Sequence, residues 1–458
     1  MASEENTENI VMELNRDLTH ELFPMERQLI PNLSDVYELE LAFYENLILS
    51  DEELIKNAAY FSQIRGEFTN HFLMCTGEPL KLPEFSSSRL KSFFEKNIFR
   101  TGYATHGLFP YRGKFHPQMI KGLMNVMGLK PGNTVLDPMM GSGTVLVEAS
   151  LMGIRSIGVD ASPFCRFMTQ TKLDALSMSL VRAKGALTNY EDIFTYFQKR
   201  VGKPNSVKNK RTSKDPIVVM EETKKYAAMK DPRELTQGER ETLDTYNLLL
   251  LSYLDSVGYA ERSTRKTPLD QFRHILERYL FVTEKIQIVL ASLGVKLAPA
   301  KVLEGDARML SLEDNSIEGI IFSPPYSFAI DYLANDSFHL NFMGVDSAAL
   351  RERMIGLRGR NLSEKYQSYR EDMSKVLSEC ARVLQPGHFC TIIIGTNNNQ
   401  LGKVLGVSPD EVKGLHEVLI DMSVSRGFKP IKVMSRPITG ISNTMRREYI
   451  IMLQKNIH

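Results

Sequence analysis

The stretch NTVLDPMMGSGT, Asn133 to Thr144, is a short apolar run followed by an acid, a proline and two glycines separated by a serine. No other stretch restricts the fold so strongly. The apolar run suits a buried strand, and Gly141 and Gly143 permit a tight turn in backbone conformations that side chains disfavour. VLVEASLMG then reads as a helix, and IRSIGVDASP returns as a second strand ending in Asp160. Strand, helix and strand in this order make a βαβ unit, whose strands run parallel. Further strands are predicted in KVLEGDA, IEGIIFSPPY, HFCTIIIG, KPIKVMSRP and REYIIML, with helices such as YQSYREDMSKVLSECARVL between some of them. The alternation predicts an α/β fold with a mainly parallel sheet covered on both faces.

Two regions fall outside this alternation. Residues 1–100 read as helical: LSDVYELELAFYENLIL and SDEELIKNAAYFSQIRGEFTNHFL carry apolar residues at three- and four-residue steps, with Ser34 and Ser50 as N-caps. A boundary is expected in the Pro- and Ser-rich segment Gly77–Leu90. Residues 174–300 form an insert. It contains the polar, basic KRVGKPNSVKNKRTSKDP, which predicts a mobile loop, and after it two helical patterns. In the second, Leu269, Phe272, Ile275, Leu276, Tyr279, Thr283, Ile286 and Leu290 form one stripe, expected to be core. DPIVVMEETK reads as an apolar strand with Asp215 ahead of Glu222-Thr223-Lys224. That is only loosely like a metal-nuclease core, because the acids are too close in sequence. The expected organisation is therefore a helical region 1–100, a catalytic domain from 101–173 and 301–458, and a helical insert 174–300 suited to recognition.

Composition narrows the setting. No apolar run reaches the ~18 residues of a membrane span, and the acidic start MASEENTENIVMELNRD is unlike a signal peptide. Cys75, Cys165, Cys380 and Cys390 show no metal spacing and are expected to be reduced thiols of a cytoplasmic protein, with no metal site. The formal charge of +1 conceals an asymmetry. Residues 1–100 carry 9 Lys+Arg against 18 Asp+Glu, so the remainder carries 47 against 37 and is net basic. A basic catalytic half is compatible with a nucleic-acid partner.

The glycine turn asks for a ligand. A helix N-terminus follows it, and 17 residues after Gly143 the second strand delivers Asp160, placed to take both hydroxyls of a ribose. A P-loop would need a lysine after Gly143, and a dinucleotide fingerprint would need glycine where Leu146 stands. IIFSPPY poses the second question, since neither proline can donate to a sheet and both rings fix φ, so the strand must stop and the Pro324 carbonyl is held in one direction.

Together DPMMGSGT, GVDASP and SPPY resemble the amino-group DNA methyltransferases, which use S-adenosylmethionine; THGLFPYRGKFHPQMIKGLM, just upstream, resembles their segment that folds over the methionine end of the cofactor. The resemblance covers about 101–173 and 301–453 and implies a Rossmann-like class I methyltransferase domain. It implies cofactor contacts from Phe115, His116, Pro117, Asp137, Pro138, Gly141, Gly143 and Thr144, the last toward the methionine carboxylate. Asp160 would take the ribose and Asp306 the adenine amino group, while Ser323, Pro324, Pro325 and Tyr326 would be the catalytic motif, with Tyr326 stacking on a flipped-out base. Met139 and Ser162 depart from the usual aromatic and Asn. Serine at the first motif position points to N4-cytosine in DNA, as in a restriction-modification or genome-marking system that can include a cognate restriction endonuclease. N6-adenine, an RNA N4-cytosine substrate and a non-catalytic binding module stay open. DNA contacts are expected from basic runs that include Lys203, Lys208, Lys210, Arg211 and Lys214, then Arg262, Arg265 and Lys266, then Arg351, Arg353, Arg358 and Arg360.

Overall fold

A computed structural model describes residues 21–31, 33, 35–76, 102–111, 113–200, 216–227, 230, 234–260, 267–325, 331–438 and 447–457. Near the N-terminus, Arg27–Leu29 (β1), Phe61–Ile64 (β2) and Glu67–Phe68 (β3) make a small antiparallel sheet beside the helix Val36–Ile48 (α1). Here the helical expectation is corrected. The helix Asp51–Asn57, capped by Ser50 as expected, stops at Ala58. The chain then forms a hairpin through Arg65 and Gly66, both at positive φ (51° and 83°), a turn suited to the twist of paired strands. Asp35 is the N-cap of α1; Ser34 lies outside the described residues, as does the boundary expected at 77–90.

The main sheet has seven strands: Thr134–Asp137 (β4), Arg155–Asp160 (β5), Ala300–Glu304 (β6), Ile317–Phe322 (β7), Leu384–Gly395 (β8), Phe428–Pro437 (β9) and Arg447–Lys455 (β10). Their order is β6-β5-β4-β7-β8-β10-β9, with the first five parallel and β10 antiparallel to both of its neighbours. This is the Rossmann-like α/β arrangement expected. Strand order reverses between β4 and β7, the position where open parallel sheets leave a crevice at their carboxyl ends.

The faces are filled by alternation. Ile321 of β7 and Ile393 of β8 face the cluster holding the helix Pro117–Val126 (α2), while Ile320, Phe322, Ile392 and Ile394 face the opposite cluster. The glycine turn leads into Thr144–Leu151 (α3), and β5 into Pro163–Asp174 (α4). The insert supplies Gln237–Ala260 (α5) and Pro268–Ser292 (α6), whose stripe, from Phe272 through Tyr279 to Leu290, is buried. Phe272, Leu276 and Tyr279 share one cluster with Leu108, Phe164 and Met168 of the sheet domain. The residues read as an apolar strand before Glu222 are instead the helix Pro216–Ala227; a four-residue apolar run cannot by itself separate the two states. Leu362–Val383 (α7) covers the face beneath β7 and β8. No helix among the described residues is long and apolar enough to cross a membrane.

Candidate active site

Four adjacent strands end together. β4 delivers Asp137 and the turn Pro138–Gly143, in which Gly141 and Gly143 have φ of +46° and +74°. At Gly143 a Cβ would lie 2.4 Å from Cγ2 of Thr169, so glycine lets α4 pack on the turn as well as bending the chain. Thr169 Oγ1 donates to the Gly141 carbonyl at 3.1 Å and fixes that approach. A Cβ on Gly158 of β5 would stand 2.6 Å from the Met140 sulfur, a close approach the sequence reading does not single out.

Asp160, at the end of β5, accepts from the Gly141 N–H (2.9 Å) and the Ser162 N–H (2.8 Å). The Cys165 side chain also hydrogen-bonds this carboxylate, which with about four lone-pair sites keeps some acceptor capacity. Burial raises its pKa, against the pull of those two N–H groups. Asp137 is completely buried; Oδ1 accepts from Met139 N–H at 3.1 Å, and Oδ2 has no hydrogen-bond partner among the described residues. Burial pushes its pKa well above the carboxylate range. Asp306, beyond β6, is gripped by Arg308: Nε lies 2.9 Å from Oδ1 and Nη2 lies 2.7 Å from Oδ2. Burial would raise the Asp306 pKa, but the bonds from Arg308 hold it low. Arg308 in turn reaches the buried Asp372 of α7 at 2.9 Å.

β7 ends at Phe322, and Ser323-Pro324-Pro325 follows without regular structure. The Ser323 hydroxyl lies 3.5 Å from the Pro324 carbonyl oxygen, at the weak limit of a hydrogen bond, so two acceptors stand side by side at the strand end. Tyr326 lies outside the described residues.

One cleft, half open to solvent, joins these pieces. The turn Pro138–Ser142, Asp160, Asp306 and Ser323–Pro325 all line it, as does Phe115. Gly143 and Thr144 lie just behind the lining: Thr144 is buried as the first residue of α3, with its hydroxyl 3.4 Å from that of Ser142. His116 and Pro117 do not line the cleft; they start α2 as N-cap and first residue. Tyr111, Lys114, Cys165 and Asp336 line it too, and the sequence reading does not name them as site residues. Tyr111 and Lys114 carried a local signal, their place in the segment that holds Phe115. Burial, followed by the charges of Asp160 and Asp336, pushes the Cys165 thiol well up, so no thiolate is at hand as a nucleophile.

The residues fit S-adenosylmethionine. The cleft is lined by apolar side chains with a few convergent polar groups, and Asp160 retains acceptor capacity for a ribose; Asp137 does not line it and lies buried at the end of β4, behind the turn. Of the basic residues expected at DNA, Arg358 is paired with Asp372, Arg351 with Asp331 at 2.7 Å and Arg353 with Glu304 at 3.1 Å, whereas Arg360 is exposed. Lys203, Lys208, Lys210, Arg211, Lys214, Arg262, Arg265 and Lys266 lie outside the described residues.

Comparison with known proteins gives matches of the same kind. Residues 108–237 match the family described as UPF0020, RMKL-like, methyltransferase domain. The type II methyltransferase M.MjaII of Methanocaldococcus jannaschii is 32% identical over 174 residues, covering 38% of this chain and 31% of the relative. The type II methyltransferase M.BsoBI of Geobacillus stearothermophilus is 24% identical over 286 residues, 54% of each. A tRNA (guanine(10)-N2)-dimethyltransferase of Methanothermobacter thermautotrophicus is 42% identical over 76 residues, 17% of this chain and 23% of that one. The chain thus spans about half or less of the length of the relatives it matches.

Proposed function

We propose that the chain is an S-adenosylmethionine-dependent amino-group methyltransferase that methylates the N4 amino group of cytosine in DNA. The observation that carries this reading is the pair of acceptors at the end of β7, Ser323 Oγ and Pro324 O, in the same cleft as the glycine turn, Asp160 and Asp306. An exocyclic amino nitrogen is a weak nucleophile because its lone pair is delocalised into the ring. Two fixed acceptors drawing on its two hydrogens favour a pyramidal nitrogen whose lone pair is free to attack. Pro324 is buried and its ring fixes φ, so its carbonyl needs no reorganisation as positive charge develops on the nitrogen. S-adenosylmethionine supplies an activated methyl group when bound. The chain's part is to hold the two reactants in line, Asp160 and Asp306 at the nucleoside end and Ser323 and Pro324 at the target base. A duplex substrate must present its base flipped out of the stack to bring the amino group to acceptors within a cleft. The type II relatives support DNA as substrate, while the tRNA relative supports an RNA reading.

The test is to express the chain, digest host DNA and RNA separately to nucleosides, and identify new methylated species by mass. N4-methylcytosine in DNA is the expected product. N6-methyladenine in DNA would overturn the base assignment, and a methylated nucleoside confined to RNA would overturn the substrate class.

A further inference from the structure

We propose that Tyr279, on the insert helix α6, is a positioning residue for the reaction: its hydroxyl holds Phe109 in a left-handed turn and so sets Tyr111 in the cleft wall. The proposal rests on the cleft being the cofactor's site. Phe109 has φ of +61°, a conformation that bulky side chains rarely adopt. Its N–H donates to Tyr279 Oη at 2.7 Å. The Tyr111 N–H then donates to the Phe109 carbonyl at 3.0 Å, across Pro110. Tyr111 lines the cleft, and its ring carbon Cε1 lies 3.3 Å from where a Cβ on Gly141 would stand. One bond from the insert thus fixes a turn that ends against the glycine turn of β4.

The hydroxyl is oriented for this bond. Tyr279 is completely buried and donates to Asp255 Oδ2 of α5 at 2.9 Å, an oxygen that Arg278 also holds at 2.9 Å. Burial, followed by the charge of Asp255, pushes the phenol pKa well up, so it keeps its proton for Asp255 and offers a lone pair to Phe109. The Phe109 ring is held as well, edge-on to Phe164 (5.1 Å between centroids) and to His339 (5.2 Å). His339 Nε2 lies 3.3 Å from the Leu254 carbonyl of α5. Its helix, Ser337–Phe342, follows Asp336, which lines the cleft too. The insert therefore supports two stretches of cleft wall, Phe109–Tyr111 and Asp336–His339, and neither lies on a strand of the sheet. A strained backbone conformation persists only where its surroundings over-determine it, and such positions cluster at ligand clamps.

Calorimetry with S-adenosylhomocysteine, together with hydrogen exchange, separates positioning from packing. Where the binding-competent turn becomes a minor state, apparent affinity falls with its population, so Tyr279→Phe should bind this ligand about 10-fold more weakly. Amides of residues 102–111 should exchange faster in that variant without ligand and regain their protection at saturation. With DNA from cells lacking the enzyme as acceptor, half-saturation by S-adenosylmethionine should need about 10-fold more, while the maximal rate stays within about threefold. A purely structural role would lower the urea midpoint and leave the affinity of the folded molecules unchanged. A second pair of variants tests the turn without touching Tyr279. Phe109→Gly and Phe109→Ala both lose the ring, but only glycine enters the left-handed region freely, so Phe109→Gly should bind about 5- to 30-fold more tightly than Phe109→Ala. Unchanged affinity in Tyr279→Phe, or equal affinities for the two Phe109 variants, would overturn the proposal. Should Tyr279→Phe fail to fold, the Phe109 pair decides. A wild-type chain that binds no S-adenosylhomocysteine would overturn the cofactor reading, and the proposal with it.

Discussion

At the scale of single residues, the site separates holding from reacting. Asp160 and Asp306 are tied to neighbours by hydrogen bonds and an ion pair, so each presents its oxygens in one orientation. Among the described residues Ser323 shows only its long contact with Pro324, so little there competes with a substrate for its hydroxyl. The two kinds of residue should therefore fail differently. Ser323→Ala removes an acceptor aimed at the target amino group and nothing that touches the nucleoside end of the cleft. Its single-turnover methyl-transfer rate should fall by about 10- to 100-fold, the loss of roughly 1.4–2.7 kcal/mol of transition-state stabilisation. S-adenosylhomocysteine affinity should stay within about twofold. A variant that transfers at the wild-type rate would remove Ser323 from the chemistry, whatever the product.

At the scale of elements, the loop after β6 is tied to α7 by Glu379 and Arg382, which bond Leu310 and Leu312, and by one buried acid. Asp372 accepts from Arg308 and pairs with Arg358, and Arg308 in turn grips Asp306. Asp372→Ala leaves two partly buried guanidinium groups facing an empty space. It should cost roughly 3 kcal/mol in chemical denaturation, the low end for a broken buried pair because both arginines keep some solvent. Cofactor binding should weaken with it, since Arg308 no longer orients Asp306; a stable variant with unchanged affinity would show that the chain Asp372–Arg308–Asp306 transmits nothing. The sheet strands and the long helices were legible in the sequence because each keeps one period over its length. The hairpin Phe61–Phe68 was not, since its strands are short and its turn is Arg65-Gly66 rather than a familiar Asn-Gly pair. The helix Pro216–Ala227 misled because four apolar residues in a row carry no period. The site divides in the same way. Gly141, Asp160 and Ser323 sit in contiguous motifs, whereas Cys165 and Asp336 lie outside the quoted motifs and reach the cleft from segments that only the folded chain brings together.

At the scale of the whole molecule, the N-terminal segment and the insert are fastened to the sheet domain through shared buried layers. Insert helices α5 and α6 share a core with Phe164 and Met168, and α1 packs on α2, with Leu41 and Tyr60 against Gly122. Glu45 is the polar knot of that second junction. It is completely buried and accepts from the N–H groups of Ala59 (2.9 Å) and Tyr60 (3.2 Å) and from the Asn125 amide (2.6 Å). Burial pushes its pKa up from 4.5 to about 7, against the pull of Asn125, Ala59 and Tyr60. A carboxyl whose folded pKa is raised contributes stability fully present below its unfolded pKa, and that contribution is lost as pH rises through the folded one. The folded chain therefore holds this proton between pH 4.5 and 7 while the unfolded chain releases it. Glu45→Gln removes the titration and leaves the other groups alone, so the difference between variant and wild type isolates it. That difference should move in favour of the glutamine variant by about 3 kcal/mol as pH rises from roughly 4.5 to 7.5, at about 1.4 kcal/mol per pKa unit. Urea denaturation of both proteins across that range gives the answer. A stability difference that stays constant with pH would mean that the three N–H donors hold Glu45 ionised in the fold, and that the N-terminal junction is a fixed charge rather than a proton-dependent one.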